Sequence, residues 1–232
     1  MSIKTTLKTY RNQFVKTLVR SQLRNKNFTI ISNNCWGGEV YREFGLPYQT
    51  PFVGLFLFAP CYIQLLQNPR TYLEQTLRFI TCSKYQPANE ARKQGIWDLY
   101  PIGLLGDAIE IHFMHYASET EAREKWIRRS QRINWNNQDR IFFKFCDREL
   151  CTNQLLIEFD QLKYAHKVCF TSQPHPTLRS AVWIEECKQD ESVVDGGELY
   201  RIGKKYFDVI DWLNGGSGQI KLTRSASCPP TF

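Results

Sequence analysis

The chain has 232 residues, 42% of them hydrophobic and 14% aromatic, with 30 Lys and Arg against 23 Asp and Glu and a formal net charge of +7. That length fits one domain, and that apolar content excludes a disordered chain. No run reaches the roughly 18 uncharged apolar residues of a membrane-spanning helix, and no apolar stretch near the start has the form of a secretory signal.

The charge is localised. Seven bases (Lys4, Lys8, Arg11, Lys16, Arg20, Arg24, Lys26) and no acid occupy residues 1–26, which leaves 23 bases against 23 acids in the rest. A nucleic-acid footprint spread over the domain is therefore not expected. Ile3, Leu7, Tyr10, Phe14 and Leu18 recur in steps of four and three among those bases. That is the period of an amphipathic helix, which either packs on the domain or lies on an anionic membrane surface.

From residue 28 the pattern alternates between strand and helix. Predicted strands are 28–32, 52–58, 102–105, 108–114, 141–145, 167–171 and 181–185, all short and rich in Ile, Val and Phe. The run "FVGLFLFAPCYI" fits a buried strand. Asn68-Pro69 predicts a helix start, with Leu73, Leu77 and Ile80 on its apolar face. Ser118 with Glu121 forms a capping box for a helix that carries acids early and Arg128, Arg129 and Arg132 late. Further helices are expected over 153–162 and 206–213, and "EVYREF" after Gly37-Gly38 suits a short one. The expected fold is α/β: a three-layer α/β/α sandwich around a mixed, partly parallel sheet, spanning 27–214. It is preceded by the basic helix of 1–26 and followed by a flexible tail over 215–232.

Ligands in such folds bind beyond the carboxyl ends of the strands. Asn33, Asn34 and Cys35 follow the first apolar run, Asp107 divides two runs, His112 and His115 close the second of these, and Asp147 follows "IFFKFC". Cys35 reads either as a buried small hydrophobe or as a nucleophile whose base would be His115, oriented by Asp107 or Asp147. His112 and His115 have odd separation, so on a strand they point to opposite faces and chelate poorly. Arg129 and Arg132, one helical turn apart and followed by Asn134, read as a solvated basic face or as a phosphate clamp. GxxxxGK[ST], GxGxxG and DxD are all absent, so no cofactor is implied. The eight cysteines have irregular spacing and no CxxC pair, and they read as reduced thiols of a cytoplasmic protein with no metal site.

"SNNCWGGEVY", "TPF", "YPIGLLGDAIEIHFMHY" and "EAREKWIRRSQRIN", in this order, resemble a family of bacterial proteins labelled as exopolysaccharide-biosynthesis proteins, with a domain of unknown function. The likeness spans about residues 28–214. It implies a three-layer α/β/α fold and a role in surface polysaccharide or lipopolysaccharide synthesis. It also carries over Asn33, Asn34, Cys35, Gly37, Gly38, Tyr41, Asp107, His115, Tyr116, Trp126, Arg129, Arg132 and Asn134 as motif positions. A second resemblance, to bacterial papain-like cysteine peptidases, rests on the order Cys35 then His115 and lacks the local sequence around a papain-type cysteine. Two functions follow as expectations. One is a transferase moving a group from an activated, phosphate-bearing donor to a sugar, with Arg129 and Arg132 on the phosphate, Asp107 or His115 as base, and the amino-terminal helix at the inner membrane surface. The other is a hydrolase or acyltransferase using Cys35 and His115, with a non-catalytic binding protein as a third option.

Overall fold

The computed structural model describes residues 16–96 and 99–220. Its centre is a four-stranded parallel sheet in the order β1–β5–β6–β7, built from β1 (Thr29–Ser32), β5 (Ile141–Cys146), β6 (Lys167–Thr171) and β7 (Ala181–Trp183). A smaller antiparallel sheet joins β2 (Leu77–Ile80), β3 (Ile102–Leu105) and β4 (Ile109–His112).

Alternation along the parallel strands divides the core in two. Ile31, Phe143, Phe145 and Cys169 face one way, and Ile30, Phe142, Cys146, Val168 and Phe170 face the other. Strands covered on both faces lose the polar–apolar alternation of a half-exposed sheet, so "IFFKFC" is buried throughout. On the first face lie α2 (Ala59–Gln67), α3 (Pro69–Leu73), α5 (Glu119–Ser130) and α6 (Asn153–Gln161). On the second lie α1 (Trp36–Phe44), α7 (Gly196–Gly203) and α8 (Val209–Leu213). The fold is thus the expected α/β sandwich. A further helix, α4 (Gln86–Lys93), buries Ala88 in a third, smaller cluster with Phe56, Phe58, Tyr100 and Ile102.

The cap read at Ser118 is present. Its hydroxyl accepts from the Glu121 amide at 3.2 Å, and the Glu121 carboxylate accepts from the Ala117 amide at 2.8 Å. Two expectations fail. Residues 52–58 are not a strand but an irregular segment touching β4 through one bridge, Phe56 to His112, and α2 takes over from Ala59 with Pro60 in its first turn. Apolar runs of this length do not distinguish strand from buried helix, whereas Pro at a first turn does mark a helix. The helix begun at Asn68 stops at Leu73, and Leu77–Ile80 is β2. Leu77 reaches the core from a strand, paired with Leu105.

The basic segment 1–26 is helical over 16–21, and residues 1–15 lie outside the described residues, as do 221–232 of the expected tail. Residues 215–220 are tied to the domain: Gly218 accepts from the Asp208 amide at 2.7 Å and the Ile220 amide donates to Tyr206 at 3.2 Å. Among the described residues no helix is long and apolar enough to cross a membrane.

Candidate active site

Two neighbouring parallel strands send the chain to opposite faces. From β1 it turns directly into α1 on one face, and from β5 it passes to α6 on the other. The loops therefore part above the carboxyl ends of β1 and β5, and a crevice opens between them. This is the switch point at which open α/β sheets bind ligands. A cleft of about 410 Å³ occupies it, lined by Asn34 and Cys35 after β1, Arg148 and Glu149 after β5, Asp195, Gly196 and Gly197 at the head of α7, and His115 beyond β4.

Beneath the cleft lies a polar knot. Lys144 is fully buried on β5, and its ammonium donates to Asn34 Oδ1 at 2.9 Å and Asn33 Oδ1 at 3.2 Å. An ammonium has only donors, so it fixes both amides with their oxygens toward it. Their Nδ2 groups then face Cys146 Sγ, at 3.4 Å from Asn33 and 3.3 Å from Asn34. Asn34 Oδ1 also accepts from the Trp36 amide at 3.3 Å, which ties the knot to the first turn of α1. Gly196 presses on this corner: a Cβ there would stand 2.7 Å from Trp36 N and 2.8 Å from Asn34 Oδ1, so only glycine fits without moving backbone.

Glu149 is the least satisfied group in the cleft. Oε1 pairs with Arg148 Nε at 3.1 Å, whereas the buried Oε2 has no hydrogen-bond partner. Burial pushes its carboxyl above the usual glutamate range, and the opposing pull of Arg148 and Lys144 does not overcome it. Glu149 and Leu150 both have positive φ, at 55° and 62°. Left-handed backbone at non-glycine residues costs on the order of 1–3 kcal/mol each and collects at functional sites. The Ala59 amide at the head of α2 holds the turn by donating to Glu149 O at 2.8 Å. Arg148 Nη1 donates to Val193 O at 2.8 Å, and Asp195 caps α7 by accepting from the Gly197 and Glu198 amides at 2.9 and 3.2 Å.

Of the residues singled out by sequence, the fold brings Asn34, Cys35 and His115 to the cleft, with Asn33 just below. Cys35 sits at the N-cap position of α1, but its thiol is pushed up, chiefly by burial and then by Glu39. It is the neutral thiol near pH 7, and its sulfur contact is with Leu55 O at 3.9 Å.

The others are placed elsewhere, each with a structural task. Asp107 belongs to the three-residue turn of the β3–β4 hairpin, where it and Gly106 have φ of 59° and 54°, and it pairs with Arg78 in solvent. Asp is one of the few residues that enters this conformation readily. Arg129 is buried, donates to the Tyr116 hydroxyl at 2.8 Å and lies over the Tyr48 ring. Arg132 falls past the end of α5 and donates to Tyr48 O at 2.6 Å, so the two do not form a phosphate clamp on one helix face. Asn134 closes a local turn by accepting from the Asn136 amide at 3.2 Å. The hydroxyl of Tyr41, fully buried, donates to Phe28 O at 2.8 Å. Asp147 uses both oxygens as braces, on the Ser172 amide at 2.6 Å and the Val193 amide at 2.9 Å.

Sequence reasoning placed Arg148 beside Asp147 beyond the strand end, where it lines the cleft, and missed Glu149, Lys144 and the Asp195–Gly197 cap. Two signals were available: a lysine inside the apolar "IFFKFC", and "DGGEL", an acidic cap followed three residues on by Glu. Among the described residues no group of three His, Cys, Asp or Glu could hold a metal ion.

Fold and cleft together define an α/β protein with a polar-lined cleft at its switch point. The sequence profile of a domain of unknown function, DUF1919, matches residues 6–214, and the chain belongs to that family. It is 35% identical over 204 residues to an uncharacterized protein of Haemophilus influenzae, an alignment covering 86% of this chain and 89% of the relative.

Proposed function

We propose that the chain is an enzyme of cell-surface polysaccharide or lipopolysaccharide synthesis, one that transfers a group from an activated donor to a sugar in the switch-point cleft. Glu149 is its general acid. The observation that carries this reading is the Glu149 carboxyl itself: mostly buried, its pKa raised by that burial, one oxygen enclosed and unpartnered, and held on strained backbone just past β5.

A sugar hydroxyl attacks the transferred group and gives its proton to His115. The bond from that group to the donor oxygen breaks, and Glu149 protonates the departing oxygen. Arg148 and the amino end of α1 suit the negative charge that a phosphate-bearing donor brings. The carboxylates of Glu39 and Asp195 suit sugar hydroxyls, and the basic amino-terminal segment supplies attraction to anionic lipid near the acceptor.

A thermal-shift panel of nucleotide-sugars tests binding, and turnover of the donor that binds tests chemistry. At least one donor should stabilise the protein. Glu149→Gln should keep that shift while turnover falls by about 10²–10⁴. If the wild type responds to no donor, or the Gln variant turns over normally, the proposal fails. The shared cleft of Cys35 and His115 favours a second reading, a cysteine-dependent hydrolase or acyltransferase, which the raised thiol pKa opposes. Mild electrophiles near neutral pH would label Cys35 ahead of the other thiols if that reading held.

A further inference from the structure

A second polar region lies at the opposite, amino edge of the parallel sheet, separated from the cleft by the length of β5, roughly 17 Å. Trp135 stands there as a ridge between two grooves. One, of about 310 Å³, is lined by Gln67, Asn68, Gln138 and Tyr164, and the other, of about 500 Å³, by Gln75, Trp126, Ser130 and Gln131. We infer that this ridge and its grooves bind an uncharged oligosaccharide, the growing or acceptor chain in the sugar reading above.

The polar chemistry argues for hydroxyls. Six buried side-chain polar atoms among the described residues have no hydrogen-bond partner, and three of them belong to residues of the larger groove: Gln75 Oε1, Trp126 Nε1 and Ser130 Oγ. One only accepts, one only donates and one does both. A ligand that reaches these groups and satisfies all three must offer both donors and acceptors, as sugar hydroxyls do. Charge argues the same way. Arg70 and Glu74 neutralise each other across the grooves at 2.8 Å, and Arg123 is spent on Leu77 O at 2.6 Å. The flat, electron-rich indole of Trp135 suits the C–H face of a pyranose.

The test is an array of neutral and charged bacterial-surface oligosaccharides probed with the full chain. At least one neutral oligosaccharide should bind, and Trp135→Ala should weaken it by about tenfold or more. The exposed Gln67→Ala, Gln138→Ala pair should weaken it too, which separates loss of contact from loss of fold. Glu149→Gln should bind normally, so failure of the catalytic proposal leaves this readout intact. No neutral oligosaccharide bound, binding indifferent to Trp135 and to both glutamines, or competition by peptides alone would overturn the inference.

Discussion

Two glutamates, Glu110 on a strand of the antiparallel sheet and Glu149 in the loop after β5, show what burial does and does not decide. Glu110 on β4 is 2% exposed, yet its carboxyl sits below the usual range. Burial pushes it up, but His112, the Ser83 hydroxyl at 2.5 Å and the Lys84 amide at 2.6 Å together outweigh burial. Glu149 beyond β5 has one guanidinium, an unpartnered oxygen and a carboxyl above the usual range. The first acid is spent on holding its sheet to the α4 loop. The second is poorly served by its own fold, and that is the condition of a group available to a ligand.

The largest effect should come from breaking the satisfied acid. Glu110→Ala strands the Ser83 hydroxyl, the Lys84 amide and His112, and should cost about 3 kcal/mol in urea denaturation at pH 7. A depressed carboxyl stabilises the fold above its unfolded pKa, and that contribution is lost as pH falls through the folded value, so the cost should shrink in acid. Next is Gly196→Ala. Its Cβ meets Trp36 N and Asn34 Oδ1, so overpacking of about 2 kcal/mol should accompany loss of donor binding in the cleft.

How much of this contrast was legible beforehand differs by element. The parallel strands announced themselves because residues buried on both faces must be apolar throughout, and Ser118 because a capping hydroxyl has few other uses at that position. Segment 52–58 was not legible: its apolar content reports burial, and burial alone does not choose a backbone. Of the site, Asn34, Cys35 and His115 were found by standing after strands. Arg129 and Arg132 were misread, because their spacing is the same whether guanidiniums point to solvent or fold back onto Tyr116 and Tyr48. Glu149 was overlooked because its distinction, an oxygen without a partner on left-handed backbone, exists only once the fold has formed.

Smaller effects sharpen the comparison. Glu149→Gln should stabilise by on the order of 1 kcal/mol near pH 8. A raised carboxyl favours folding below its unfolded pKa, and that contribution is lost as pH rises through the folded value, so the gain should vanish near pH 4 when both side chains are neutral. Asp107→Ala should cost on the order of 0.5–1 kcal/mol, because alanine enters the left-handed turn less readily than aspartate while the exposed pair with Arg78 adds little, and it should leave donor binding untouched, because Asp107 does not line the cleft.

The most direct measurement is a carbon-13 NMR titration of the Glu149 carboxyl, assigned against the Gln variant. The account predicts a midpoint above the ordinary glutamate value of about 4.3, with Glu110 titrating below it in the same spectra. A Glu149 midpoint at or below that value would mean that Arg148 has fully satisfied the carboxylate, and the cleft would hold no acid for the chemistry proposed.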